Sequence, residues 1–143
     1  MTYQKKSWLS VRERLVRARE AMTAFRALPE EEQERGLLDD IVWQCWSFGE
    51  YAVNVCLELY GLPVPQDHSQ PEQARQLYAQ GCFSEDFSKA LEQLERFRKQ
   101  ASHLSYNRER STHYNPTNVE LCLAKVEALE IEVEALLRSR GKL

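Results

Sequence analysis

Glycine and proline are scarce in this chain, five of each among 143 residues, which excludes collagen-like, low-complexity and strongly disordered readings. Long apolar runs are missing as well. No stretch approaches the roughly 18–20 residues a membrane span requires, and Met1 to Lys6 lead into a charged amphipathic segment where a signal peptide would place its apolar core. The expectation is a cytoplasmic protein with no membrane partner. The cysteines lack zinc-ligand spacing: Cys45, Cys56, Cys82 and Cys122 stand far apart, with no C-x-x-C pair and no histidine at finger spacing. They read as small hydrophobes kept reduced, and neither a metal nor a cofactor is expected. An excess of basic charge is also missing. The 19 Lys+Arg against 22 Asp+Glu leave a net charge of −3, so the molecule as a whole does not attract nucleic acid.

What is present is a composition of 43% hydrophobic and 29% charged residues, enough for one globular domain over residues 1–143. Charge is segregated along it. Residues 1–28 hold seven basic and two acidic side chains, residues 29–40 one and six, and residues 41–95 two and eight. The sign then reverses over residues 96–113, where Arg96, Arg98, Lys99, Arg108 and Arg110 face Glu109 alone. Such a pattern permits anion binding at a patch on an otherwise acidic protein, and it is also what clustering on a solvated surface produces.

The apolar spacing is helical throughout. Residues 1–28 form a basic amphipathic helix, with Val11, Leu15, Ala18, Met22 and Phe25 on a narrow seam after Ser7 and Trp8. A second helix runs from about Leu37 to Tyr60, and its apolar face, from Leu38 through Trp46 and Phe48 to Leu59, is wide enough to place it centrally. Gly61 ends it. A proline-rich loop follows, with Asp67 and Ser69 placed to cap a short helix from Pro71 to near Gly81. A fourth helix follows Ser84 and carries Phe87, Ala90, Leu91, Leu94, Phe97, Ala101 and Leu104. The last begins at Pro116 to Asn118 and carries Val119, Leu121, Cys122, Val126, Leu129, Ile131, Val133, Leu136 and Leu137. With no sustained period-two alternation, the fold class is all-α, a helical bundle of four long helices plus one short helix.

Chemistry concentrates where the fourth helix leaves its amphipathic pattern, from Glu95 to Arg108. His103 is the side chain there whose unperturbed pKa lies near neutrality, so it exchanges protons at working pH. A neighbouring arginine stabilises a pentacoordinate phosphate with permanent charge and several donors. Together they are a minimal metal-free set for RNA cleavage at the ribose 2′-hydroxyl, which DNA lacks. One histidine and two arginines on a helix are equally what a solvated face carries.

The region from about Ile41 to Leu137 resembles the HEPN superfamily. The resemblance rests on the aromatic-rich helix Trp43 to Asn54, the proline loop with a histidine at Pro65 to His68, a short helix ending in Gly81, and a helix finishing in Phe97 and Arg98. The R-x(4–6)-H motif follows. Arg98-Lys-Gln-Ala-Ser-His103 satisfies it with four intervening residues, and Arg96 to His103 with six. The resemblance implies a metal-independent endoribonuclease, a toxin or defence component, whose active site is composed across a homodimer. Arg98, His103 and Arg96 are then catalytic, and Lys99, Tyr106, Asn107, Arg108 and Arg110 bind substrate. It also implies RNA as a partner and a nucleotidyltransferase-type antitoxin as another. The alternative is a non-catalytic HEPN-like module that dimerises and binds a protein, nucleotide or RNA.

At about 100° per residue, Arg96 and His103 are only about 20° from a shared helix face, whereas Arg98 and His103 are about 140° apart. Family position favours Arg98 and helix geometry favours Arg96. Lys99 stands where many catalytic members carry Asn, Asp or His. Tyr106 either contacts phosphate or closes the bundle end. His68 reads as a capping or exposed residue and His113 as a surface-loop one. Trp43, Trp46, Phe48 and Tyr51 read as core or, in part, as a dimer seam. The arginines of residues 1–28 form a solvated face, extend the RNA surface or lie against a partner.

Overall fold

A computed structural model of the chain describes residues 2–103 and 114–143, with the side chains of residues 2–7, 102 and 103 left aside. Among the described residues there are five α-helices: α1 (Thr2–Ala27), α2 (Arg35–Leu59), α3 (Gln70–Ala79), α4 (Ser88–His103) and α5 (Pro116–Ser139). α3 is the short one, and the described residues contain no strand. The expected all-α bundle of four long helices and one short helix is what the chain forms.

α2 lies at the centre and touches each of the other four helices. Its composition explains the position. Leu38, Ile41, Val42, Cys45, Phe48, Ala52, Val53, Cys56 and Leu57 are all buried, a band too wide for one neighbour to cover. α1 lays Trp8, Val11, Leu15, Ala18, Met22 and Phe25 against it, with the Trp8 and Phe48 rings 5.9 Å apart. From the other sides α4 contributes Leu91, Leu94 and Phe97, and α5 contributes Val119, Cys122, Val126, Leu129 and Val133. Gly49 lets α4 come close. A Cβ there would stand 2.6 Å from Leu91 Cδ2, well inside van der Waals contact.

Local capping sets the helix boundaries. Asn115 and Asn118 form a reciprocal capping box at the start of α5, with Pro116 inside the first turn. Asp86 Oδ1 accepts from the Ser88 N–H at 2.9 Å and opens α4. Ser84 plays a different part from the one its position suggests, since its N–H and hydroxyl both donate to Glu132. The acidic run after Pro29 forms a short 3-10 turn, Glu30–Glu32, ahead of α2. α1 begins at Thr2 and ends at Ala27. Leu121 and Ile131, read from spacing as part of the apolar face of α5, are exposed.

Three of the α1 arginines pair across the bundle, while Arg17 stays on the solvated side with Glu13 of its own helix. Arg12 Nε donates to Glu130 at 3.1 Å, Arg19 reaches Glu127 and Glu130 at 2.7 and 2.6 Å, and Arg26 Nε meets Glu120 at 2.5 Å. All three glutamates belong to α5, so a basic helix and an acidic one clamp each other over a shared edge of α2. The cysteines Cys45, Cys56, Cys82 and Cys122 are free thiols. Burial pushes the Cys56 thiol up to about 12 and that of Cys122 up to about 11, so both stay protonated and unreactive at neutral pH.

Candidate functional site

α4 buries Phe97 and thereby turns its neighbours to opposite sides. Arg98 faces the aromatic end of α2, and Arg96 is exposed on the flank where its charge reaches Cys122 of α5. Glu95, one turn before Arg98, organises the α2 side. Its Oε1 accepts from Arg98 Nη2 at 2.6 Å and lies 3.8 Å from Lys99 Nζ. Its Oε2 accepts from the Trp46 indole N–H at 2.5 Å. The Arg98 guanidinium lies over the same indole, with Cζ 4.4 Å from the ring centroid and 5.7 Å from that of Trp43. The two tryptophans meet edge to face at 5.3 Å. Arg98 is thus a nearly covered cation, 16% exposed, and its buried Nε has no hydrogen-bond partner.

A second polar pair, Glu50 with His68, also lies beside Trp46. Trp46, Glu50 and Asn54 recur every four residues on α2 and form a polar stripe beside the wide apolar band. Asn54 Oδ1 accepts from the Gln70 amide at 3.2 Å, tying the start of α3 to α2. The preceding loop turns through His68, which has φ of +62°, a left-handed conformation uncommon for residues other than glycine. That turn brings His68 Nδ1 to 2.9 and 3.2 Å from the two Glu50 oxygens and the imidazole to 5.6 Å from the Trp46 ring. Burial pushes the Glu50 carboxyl above its ordinary range; His68 and Arg98 pull it down and Glu95 adds to the rise. The carboxylate is 13% exposed while the imidazole is 50% exposed. The ring is therefore held at Nδ1 and half-exposed as a side chain.

Of the residues the sequence singled out, Arg98 and Lys99 come together around Glu95, while Arg96 stands apart on the α5 side. His103 is the final residue of α4, about 7.5 Å along the axis from Arg98 at 1.5 Å per residue. Tyr106, Asn107, Arg108, Arg110 and His113 lie outside the described residues. Sequence reasoning missed Glu95, Glu50 and the place of His68. The four-residue spacing of Trp46 and Glu50 inside an apolar helix was the available signal for the stripe. Nothing in the sequence marks the turn at His68.

At the opposite end of α2 an open cleft of about 620 Å³ is lined by Phe25, Gln33, Arg35, Leu38, Tyr114 and Asn118, among others. The Arg35 guanidinium lies 4.2 Å from the Tyr114 ring centroid and donates to the Tyr114 carbonyl at 3.3 Å. The Tyr114 hydroxyl donates to Asp39. Desolvation raises the pKa of both the phenol and Asp39, so this cluster mainly ties α2 to the start of α5.

Among the described residues no three His, Cys, Asp or Glu side chains gather as metal ligands, and no helix is long and apolar enough to cross a membrane. No family model matches the chain, and no curated protein or solved structure matches it with significance.

Proposed function

We propose that this chain is a metal-independent endoribonuclease of HEPN type, the toxin or defence half of a two-component system. In this reading it acts in the cytoplasm, as a homodimer, on single-stranded or tRNA-like RNA. The observation that carries the reading is that the R-x(4–6)-H motif falls on the closing turns of one continuous helix, α4, from Arg98 through His103. Arg98 is also oriented in advance, because Glu95 and the Trp46 face fix its guanidinium before substrate arrives. Pre-set charge needs no reorganisation as the phosphorane forms. His103 exchanges the proton, Arg98 or the more exposed Arg96 neutralises the transition state, and Lys99 draws in the phosphate backbone. Exposed Trp43 is a stacking surface for an unpaired base or a seam for the second subunit.

The second reading is a non-catalytic module that dimerises and binds a protein, nucleotide or RNA. It is favoured by the engagement of Arg98 with Glu95 and Trp46, which by itself accounts for that arginine as an internal strut. A nucleotidyltransferase-type antitoxin is the partner either reading would take. Incubating purified protein with labelled total RNA in chelator, beside His103→Ala and Arg98→Ala, separates the two. Cleavage lost in the variants with helicity and dimerisation kept supports the nuclease. Intact RNA with wild-type protein, or full cleavage by His103→Ala, overturns it.

A further inference from the structure

α5 carries a second apolar face that the bundle does not cover. One side of the helix turns Val119, Cys122, Val126, Leu129 and Val133 into the core, yet Leu121 and Ile131 are 63% and 68% exposed, the highest values of any large hydrophobic side chain among the described residues. The two belong to one seam. Leu121, Ala124, Ala128, Ile131 and Ala135 follow one another at steps of three, four, three and four, with Ala124 and Ala135 exposed and Ala128 half-buried. This is the spacing of a coiled-coil contact, about 21 Å long at 1.5 Å per residue.

We propose that this seam docks, antiparallel, on the same seam of a second copy of the chain. Size and charge both select that occupant. Layering Ala128 against Ile131 of the second copy also layers Ala124 against Ala135, so each isoleucine meets a small side chain and the helices approach closely. The same register brings Lys125 within about 3 Å, measured along the axis, of Glu132 of the second copy, and two-fold symmetry repeats the pair. Shifting the register by one heptad sets Lys125 beside Lys125 and removes the attraction. Neither group is used up within its own chain. Lys125 Nζ gives one of its three N–H donors to Glu85 at 2.7 Å, and each Glu132 oxygen accepts one hydrogen bond from Ser84, leaving a lone pair free. Along the other edge Glu127 comes opposite Glu134. Arg19 lies 2.7 Å from Glu127, and Arg12 and Arg138 lie 3.9 and 3.8 Å from Glu134, so arginines offset the like charge there.

The pairing is separate from the R-x(4–6)-H motif. Glu85, ahead of α4, bonds Lys125, whereas Phe97, late in α4, packs its ring 4.8 Å from that of Tyr114 ahead of α5. α4 and α5 are therefore antiparallel, and the motif lies toward the start of α5. In a pair centred between Leu129 and Glu130 the two Pro116 positions stand about 40 Å apart. Both motif ends stay open, and a site shared between two motifs needs a second contact elsewhere on the chain. The inference thus stands without the ribonuclease reading. A contact this short belongs with the small, reversible interfaces, so association rises with concentration.

The test is sedimentation equilibrium of the full chain over a concentration series, for the wild type, Ile131→Lys, Lys125→Glu, Glu132→Lys and the double reversal Lys125→Glu/Glu132→Lys. Thermal unfolding of each protein checks the fold. Ile131→Lys is expected to weaken association by about 100-fold or more, since it puts an ammonium into the seam. Each single charge reversal should weaken it by about tenfold, two exposed pairs being lost at once, and the double reversal should restore it. A wild type that does not self-associate overturns the proposal, as does an Ile131→Lys protein that associates like the wild type. A double reversal no tighter than the single ones overturns the antiparallel register. Mass is the readout, so these outcomes are independent of whether the chain cleaves RNA.

Discussion

Arginines occupy two edges of α2, and the two edges treat them oppositely. On the α1 and α5 edge, Arg12, Arg19 and Arg26 each find carboxylates on the facing helix, and Arg19 bonds to two of them. On the α4 edge, Arg98 has one carboxylate for Nη2, an indole beneath it, and a buried Nε with no partner. Interhelical ion pairs with full partners secure packing. A covered cation with an unmet donor costs stability unless something else meets it. The contrast separates arginines whose donors are met across the helix interface from one that keeps an unmet donor, which the proposed function uses to receive an anion.

The largest expected effect breaks this contrast directly. Arg98→Ala should reduce RNA cleavage by 100-fold or more, on the order of what loss of a transition-state donor costs, while Arg19→Ala leaves cleavage intact and lowers the unfolding midpoint. Arg98→Lys should recover little, because an ammonium cannot lie flat on the indole and bond Glu95 from its edge. Cleavage rates and urea midpoints on the same three proteins give the comparison. If Arg98→Ala and Arg19→Ala behave alike, the two edges do not differ in function.

The fold was far more legible in the sequence than this distinction. The three- and four-residue spacing of Val11, Leu15, Ala18, Met22 and Phe25 placed α1 on its seam because burial follows helical period, and all five are buried. The breadth of apolar positions on α2 likewise gave its central position. The arginines were not legible. Arg19 and Arg98 differ only in which helix passes opposite, and that depends on contacts between residues about a hundred positions apart, such as Arg19 with Glu127 and Glu130. Glu50 and His68 were hidden for the same reason, since their meeting needs the left-handed turn at His68 and the tie from Gln70 to Asn54.

The next effect sharpens the structural side. Glu130 is 8% exposed and lies between Arg12 and Arg19. Glu130→Gln removes the charge that both guanidinium groups share. Because these arginines stay partly solvated, the loss is discounted to about 1–2 kcal/mol in urea unfolding, with RNA cleavage unchanged. On the other edge, Gly49→Ala forces its new Cβ against Leu91 and pushes α4 from α2. Overpacking costs about 1–3 kcal/mol, and the helix propensity of alanine returns roughly 1 of it. Cleavage should fall by more than that small net cost implies, because α4 carries Arg98. An unchanged rate at reduced stability would show that the site tolerates movement of α4.

The smallest effect is one of sign. Glu120 is held below its ordinary carboxylate range by the hydrogen bond from Arg26. Its contribution to stability is present above the unfolded value of 4.5 and is lost as pH falls through the lowered folded value. Glu50 is shifted the other way, chiefly by burial. The folded state therefore binds a proton at Glu50 that the unfolded state releases, and its contribution is full below 4.5 and lost as pH rises through the raised folded value. Glu120→Gln should lower the urea midpoint at pH 7 and remove that loss on the acid side. Glu50→Gln should raise the midpoint at pH 7 and flatten the decline above pH 4.5. Opposite shifts of the midpoint in the two variants would separate a carboxylate buried at a cost from one held by a facing arginine, whereas a midpoint that falls for both would make Glu50 one more structural anion like Glu120.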